Sequence, residues 1–158
     1  MSEKIVFVLG SKKDKDFIDP AKEFLTEFDI DHEVRISSAH KTPKKALEII
    51  EQYEDEEGIV YITVAGRSNA LSGFFDGNTK KPVIACPPYS SKFSGADIFS
   101  SLRMPSGVSP LVVLEPENAA LAAMKILAMK NPSLEKKIKK YRKNLKDRIR
   151  ESDEISRD

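Results

Sequence analysis

Apolar residues along the chain follow two alternating spacings. Short, nearly continuous apolar runs rich in β-branched residues lie at 4–9, 59–65, 82–86 and 111–114, and a strand-like run in which apolar and polar residues alternate lies at 32–36. Runs of this length and composition are typical of strands buried on both faces of a parallel sheet. Between them, apolar residues recur every three or four positions, as in an amphipathic helix. Five such alternations predict an α/β domain, with a doubly wound parallel sheet and helices on both sides.

The spacing also places the helices. A first helix of about four turns follows residues 10–14, and a second begins near Pro43, where proline is favoured at the first helical position. A third begins around 70–74, a short one spans 95–103, and an Ala-rich one spans 118–129. Residues 87–91, which include Pro87 and Pro88, are predicted to be extended because proline keeps its predecessor out of the helical region. The predicted buried stripes are Phe17, Ala21, Phe24, Leu25 and Phe28 in the first helix and Ala46, Leu47, Ile50 and Tyr53 in the second.

The C-terminal region carries one more amphipathic pattern, over residues 132–150. Its apolar positions step by four, three, four and four, and its opposite face is dense in Lys and Arg. We expect one catalytic α/β domain over residues 1–129 and a basic amphipathic helix with a polar tail over 130–158. Such a stripe must cover the body, another subunit or an anionic surface. The apolar stripe of residues 132–150 comprises Leu134, Ile138, Tyr141, Leu145 and Ile149.

Composition narrows the class of protein. A chain of 158 residues with 40% hydrophobic and 32% charged residues is long enough for one globular domain and too short for two. Its single cysteine, Cys86, excludes an intramolecular disulfide and a cysteine-based metal cluster, and we expect it to be buried at a strand end and inert. No apolar run is long enough to span a membrane, and the first residues lack a signal-peptide pattern. We therefore expect a cytoplasmic protein.

Candidate chemistry lies in three loops that follow the first three predicted strands: residues 10–14, 37–43 and 66–69. The carboxyl ends of parallel strands share one sheet edge, where such folds bind anionic ligands at helix N-termini. The second loop holds His40, one of two histidines and a natural general acid or base near neutral pH. Each candidate has a simpler interpretation. His40 could be a solvated loop residue, and the other histidine, His32, is predicted to lie at the surface.

Three further loop residues carry the same two interpretations. Ser11 either binds a phosphate or caps a helix. Asp14 either contacts a ligand or interacts with a helix dipole. Arg67 either clamps an oxyanion or forms a surface ion pair.

The order of the motifs is more specific than any one of them. The chain contains Gly10-Ser11, Ser38-Ala39-His40-Lys41, Ala65-Gly66-Arg67-Ser68-Asn69, Gly77-Asn78-Thr79 and the run Ser100–Gly107. Over residues 4–128 this series resembles the phosphoribosylaminoimidazole carboxylase (PurE) family of purine biosynthesis. The resemblance implies a flavodoxin-like three-layer αβα sandwich. Lys41 and the Arg67-Ser68-Asn69 triplet are similar to the class II members, which carboxylate aminoimidazole ribonucleotide with carbon dioxide.

The resemblance also implies roles for individual residues. His40 would exchange the proton of the ring carbon, and Lys41 would hold the carboxylate or carbon dioxide. No metal or cofactor is implied, nor a nucleic-acid or membrane partner, and members form homo-oligomers, commonly octamers, with a tetramer as the alternative. The implied substrate-binding residues are Gly10, Ser11, Asp14, Ser38, Ala39, Ala65, Gly66, Arg67, Ser68, Asn69, Met104 and Pro105.

Two positions depart from the family pattern, and three other functions remain open. Lys13 stands where members usually carry Ser, and Ala70 where class II members often carry Gly. A class I mutase, which acts on the carboxyamino isomer, is the first alternative. The second is a flavodoxin-like carrier, although the first loop lacks the Gly-x-Gly-x-x-Gly spacing expected of a dinucleotide-binding site. The third is a nucleic-acid-binding protein that uses the basic tail.

Overall fold

In a computed structural model that describes residues 3–88 and 91–156, five strands form one sheet. Every neighbouring pair of strands is parallel, and the order across the sheet is β2-β1-β3-β4-β5. This is the strand order of flavodoxin-like folds, so the predicted doubly wound α/β fold is confirmed. The strands are β1 Lys4–Leu9, β2 Asp31–Ile36, β3 Ile59–Val64, β4 Val83–Ala85 and β5 Leu111–Val112.

Helices connect the strands and cover both faces of the sheet. Single turns of 3-10 helix occur at Lys12–Asp14, Asp16–Ile18, Ser91–Phe93 and Ala96–Ile98. The longest helix is C-terminal and adds to the sandwich. The helices are α1 Asp19–Glu27, α2 Pro43–Tyr53, α3 Leu71–Asp76, α4 Phe99–Leu102, α5 Pro116–Ala128 and α6 Pro132–Ile155.

The sheet divides the buried side chains into two cores. Along β1, Phe7 faces a core shared with α1, α5 and the start of α6, whereas Val6 and Val8 face a core shared with α2 and α3. The alternation follows from the period of two along a strand. All five residues from Ile5 to Leu9 are fully buried, as a strand covered on both faces requires.

The first half of α6 packs on the body. Leu134 and Ile138 are buried in the core beneath α1 and α5, and the Tyr141 ring lies 5.2 Å from that of Phe24. The helix begins sharply because the side chain of Asn131 accepts hydrogen bonds from the backbone amides of Ser133 and Leu134, both at 3.0 Å.

The second half of α6 leaves its apolar residues uncovered in the single chain. Leu145 is 39% exposed, Ile149 71% and Ile155 76%. The predicted apolar stripe of α6 therefore divides into two parts. Its first three residues cover the body, and its last two face outward.

The region before α1 differs from the prediction. The four-turn helix expected after residues 10–14 is shorter, because a 3-10 turn at Asp16–Ile18 takes its first positions and regular α-helix begins only at Asp19. A further 3-10 turn, at Lys12–Asp14, lies within the predicted loop. Pro20 lies in the first turn of α1 and fixes its start, because a proline is best tolerated there. The predicted apolar face of this helix is confirmed at Ala21, Phe24 and Leu25, which are buried in α1.

The structure also corrects the predicted buried face of α2, the exposure of His32 and the lengths of two strands. In α2 the buried residue next to Ile50 is Ile49, whereas Leu47 is 38% exposed, because the helix presents positions 46, 49, 50 and 53 to the sheet. His32 is half-buried, with its ring edge-on to Phe7 at 6.3 Å, so its placement at the surface was wrong. Strands β4 and β5 are shorter than predicted. Residues 89–90 of the predicted extended stretch lie outside the described residues.

No helix in the described part of the chain is long and apolar enough to cross a bilayer.

Leu134→Ala should lower the free energy of unfolding by about 2–5 kcal/mol, because it leaves a cavity beneath α6. Met129→Ala is the matched control nearby: that side chain is 85% exposed, so the change should stay within about 0.5 kcal/mol. Urea unfolding at one fixed protein concentration measures both. Equal losses would show that the contact between α6 and the body contributes nothing specific.

Candidate functional site

A cleft opens at the carboxyl edge of the sheet, between the ends of β1 and β3. This is the point at which the strand order reverses, so the loops after these two strands turn to opposite faces and leave a crevice. Its volume is about 660 Å³. The lining residues are Gly10, Ser11, Lys13, Asp14, Ser38, Ala39, His40, Lys41, Ala65, Gly66, Arg67, Ser68, Ala70, Leu71 and Pro88.

The floor of the cleft is built from small residues in close contact. The Gly10 amide donates to the Val64 carbonyl at 2.8 Å, which extends the pairing of β1 with β3 by one residue. A Cβ on Gly10 would lie 3.2 Å from the Ala65 Cβ, and a Cβ on Gly66 would overlap the Pro88 carbonyl oxygen. Gly66 is therefore required by the close approach of the segment after β4.

The first loop presents a capped turn and a partly desolvated carboxylate. Ser11 Oγ accepts the Lys13 amide at 3.2 Å and so caps the 3-10 turn, while both residues line the cleft. Burial in the cleft raises the pKa of Asp14 above its usual range, and a hydrogen bond with the Ser11 backbone lowers it in part. Such a carboxylate is short of hydrogen-bond donors and suits ligand hydroxyl groups.

The second loop holds His40 at the tip of a tight turn. The Ser37 amide continues the ladder by donating to the Leu9 carbonyl at 2.9 Å. Beyond it, Thr42 Oγ1 accepts the Ser38 amide at 3.0 Å, and Ser38 Oγ accepts the Lys41 amide at 3.2 Å. These local bonds brace the turn, while the side chains of His40 and Lys41 stay exposed at the cleft.

The third loop contains a strained residue. Arg67 has φ of 62°, in the left-handed region that a residue with a side chain seldom adopts. Its amide donates to Asp97 Oδ2 at 3.1 Å. Its carbonyl lies 3.2 Å from Ser100 Oγ, whose single hydrogen is shared between this carbonyl and that of Asp97 at 2.8 Å. The surrounding structure thus holds the strained backbone at both polar groups, as expected for strain that persists at a site.

Three residues predicted to bind substrate do not line the cleft. The side chain of Asn69 is buried, where its Nδ2 donates to Ser101 Oγ at 2.9 Å and its Oδ1 accepts the Ser72 amide at 3.3 Å. Met104 lies against Gly73 of α3, and Pro105 follows it outside the cleft. In the single chain Asn69 thus supports the loop that carries Arg67.

Comparison with known proteins matches nearly the whole chain to one family. The family model described as AIR carboxylase matches residues 4–148. The chain belongs to the AIR carboxylase family. The family that the motif series predicted is thereby confirmed.

Individual relatives support this membership. The chain is 57% identical over 151 residues to a phosphoribosylaminoimidazole carboxylase of Archaeoglobus fulgidus, covering 96% of this chain and 83% of that one. It is 44% identical over 154 residues to the Treponema denticola protein of the same name, with 97% of each covered. The crystal structure of Treponema denticola PurE superposes with a TM-score of 0.93, covering 96% of this chain and 97% of that one.

The cleft also includes four residues that were not predicted to bind substrate: Lys13, Ala70, Leu71 and Pro88. Of these four, Pro88 has the clearest sequence feature that places it at the cleft. The Pro87-Pro88 pair follows β4, and a fourth loop at the same sheet edge was a direct consequence of the strand alternation. Lys13, which departs from the family pattern, also lines the cleft.

Cys86 lies outside the chemistry of the cleft. It is fully buried, and burial, with a smaller contribution from Glu115, raises the pKa of its thiol to about 12. The expected burial of Cys86 at a strand end is confirmed, and a thiol with so high a pKa is a poor nucleophile at neutral pH. Among residues 3–88 and 91–156, no three His, Cys, Asp or Glu side chains are grouped closely enough to ligate one metal ion.

Gly66→Ala should lower the free energy of unfolding by about 1–3 kcal/mol, because the added methyl forces Pro88 and the cleft wall apart. The control is Ser68→Ala in the same loop, an exposed position where the change should stay within about 0.5 kcal/mol. Urea unfolding compares them. A fully stable Gly66→Ala variant would contradict the close approach described for the cleft floor.

Proposed function

We propose that this chain carboxylates aminoimidazole ribonucleotide with carbon dioxide in the cleft between β1 and β3. One observation supports this most: the Gly10–Asp14, Ser37–Pro43 and Ala65–Asn69 loops converge on one cleft that presents the His40 imidazole. AIR carboxylase family membership identifies the chain as an enzyme of purine biosynthesis.

The reaction requires one proton transfer at carbon. A carbon–carbon bond forms between the carbon of carbon dioxide and a ring carbon, and the proton on that ring carbon must leave. His40 accepts it, and returns it when the reaction runs in reverse. An exposed imidazole on a braced turn suits this task, because an imidazole ring can both accept and donate a proton.

The other cleft residues bind and orient the substrates. Lys41 attracts the carbon dioxide or the new carboxylate as a point charge, and Arg67 clamps a phosphate or carboxylate with two parallel hydrogen bonds. Ser11, Ser38 and neighbouring backbone amides bind the ribose phosphate. The desolvated carboxylate of Asp14 accepts hydrogen bonds from the ribose hydroxyls.

The small residues of the cleft allow the nucleotide to approach the backbone closely. They are Gly10, Ala39, Ala65 and Gly66, with Ser68 at the rim.

The carboxyl donor distinguishes the two classes of the family. Lys41 next to His40, and Arg67 with Ser68 and Asn69, favour the class II reaction with free carbon dioxide. The class I mutase, which moves a carboxyl group already attached to the ring substituent, is the alternative within the same cleft.

An assay with two substrates separates these reactions. Purified protein receives either aminoimidazole ribonucleotide with bicarbonate or the carboxyamino isomer alone, and formation of the ring-carboxylated product is followed. We expect turnover of the first mixture. Turnover of the isomer alone would reject the class II assignment and keep the family.

The two more distant alternatives lose support. A flavodoxin-like carrier shares the strand order only, and the family match extends through the loops. The basic face of α6 that suggested nucleic-acid binding is partly neutralised by ion pairs, including Lys139 with Glu135 at 2.6 Å and Lys137 with Asp29 at 2.9 Å. The proposal therefore includes no nucleic-acid or membrane partner, and it places the enzyme in the cytoplasm.

His40→Asn should lower kcat about 100- to 10,000-fold without unfolding the protein, because an amide cannot accept a proton at neutral pH. His32→Asn is the matched control. It removes the other imidazole, which lies at the amino end of β2 and outside the cleft. Steady-state kinetics on both variants give the result; near wild-type turnover by His40→Asn would end the proposed role.

We also propose that the outward half of α6 packs on a neighbouring subunit in a homo-oligomer. Support comes from the exposed Leu145 and Ile149, which continue the stripe buried at Leu134 and Ile138. An exposed apolar stripe of this kind is unfavourable in water unless it is covered. The family resemblance favours an octamer, with a tetramer as the alternative.

The full-length double variant Leu145→Glu/Ile149→Glu should form a smaller assembly in light scattering, because two carboxylates would be buried at the contact. Lys136→Gln/Lys146→Gln makes the same net charge change on exposed positions of the same helix and should leave the mass unchanged. If both pairs keep the wild-type mass, α6 is not an assembly element.

A further inference from the structure

The loop that carries Arg67 is held by side chains from a separate segment, and not by regular secondary structure. That segment comprises the 3-10 turn Ala96–Ile98 and helix α4. Side-chain hydrogen bonds join it to the loop. They are Arg67 amide to Asp97 Oδ2 at 3.1 Å, Ser100 Oγ to the Arg67 carbonyl at 3.2 Å, Asn69 amide to Ser100 Oγ at 3.0 Å and Asn69 Nδ2 to Ser101 Oγ at 2.9 Å. The Ser100 hydroxyl hydrogen is shared with the Asp97 carbonyl of its own segment, at 2.8 Å.

These hydrogen bonds are concentrated on the backbone of Arg67. Both backbone polar groups of Arg67 are bound by the segment, and Arg67 is the residue of the loop with a positive φ, of 62°. A residue with a side chain relaxes to a negative φ unless its surroundings fix it. The direction in which the backbone sends the Arg67 side chain therefore depends on Asp97 and Ser100.

We propose that Asp97 and Ser100 are positioning residues that set the direction of the Arg67 side chain at the cleft. Neither lines the cleft, so neither touches the substrate in the single chain. The inference rests on the proposed function, in which Arg67 clamps an oxyanion of the substrate. Asn69 is part of the same hydrogen-bonded network, because its buried side chain joins the loop to Ser101 and to the start of α3.

The effect should appear in substrate binding and not in the chemical step. A clamp that grips the ground state and the transition state equally changes KM and leaves kcat unchanged. A residue that only positions the clamp must lose its influence once the clamp is removed, since contacts that act through one group are not additive.

The chain supplies a matched control for Asp97. Asp76 Oδ2 accepts the Ser109 amide at 2.6 Å, so it also joins a carboxylate to a loop amide about thirty residues away in sequence, but it is outside the cleft lining. Asp97→Ala and Asp76→Ala therefore remove the same kind of bond. They differ in whether Arg67 is involved.

The test measures KM for aminoimidazole ribonucleotide and kcat in full-length variants. Arg67→Ala should raise KM roughly 10- to 100-fold, as for loss of a hydrogen-bonded charge. Asp97→Ala and Ser100→Ala should each raise KM about 3- to 10-fold with kcat unchanged. Asp97→Asn should recover most of the loss because an amide oxygen also accepts the Arg67 amide, and Asp76→Ala should keep the wild-type KM.

The double variant Arg67→Ala/Asp97→Ala decides the interpretation. Its KM should equal that of Arg67→Ala alone. A further increase by the single-variant factor would show that Asp97 acts independently of Arg67 and would overturn the inference, as would wild-type KM values in both Asp97→Ala and Ser100→Ala. An unchanged KM in Arg67→Ala would instead reject the clamp in the proposed function, and the inference with it.

Discussion

The parallel pairing of β1 with both β2 and β3 is the constraint on which the rest of the structure depends. Its register runs without a gap from Lys4 to Leu9 on each side. The loops after all three strands consequently begin at one level of the sheet. The crevice between β1 and β3 arises from the strand order alone, before any functional side chain is considered. His40, Asp14 and Arg67 meet there although more than fifty residues of the chain separate Asp14 from Arg67.

Close packing and local hydrogen bonds turn this crevice into a defined cleft. Gly66 allows the segment after β4 to approach the loop of β3, and Gly10 allows β1 to approach Ala65. The turn around His40 is braced by its own hydroxyl groups, whereas the turn around Arg67 is braced by Asp97 and Ser100. The general acid–base candidate and the clamp candidate are thus held by independent supports.

The sequence predicted the parts of this structure that depend on local pattern. Buried strands such as β1, the buried face of α1 and the placement of three loops at one edge follow from apolar spacing and strand direction. It did not predict that Asn69 is buried, because the partner hydroxyl of Ser101 comes from a distant segment. Nor did spacing reveal the start of α1 or the choice of Ile49 over Leu47, which small rotations of a packed helix decide.

A crystal structure of the protein with aminoimidazole ribonucleotide bound tests the central claim most directly. The account predicts the ribose phosphate on the Ser11 and Ser38 loops and the reacting ring carbon within about 3.5 Å of the His40 imidazole. A nucleotide bound outside this cleft, or a ring carbon beyond the reach of His40 with the phosphate in place, would contradict it.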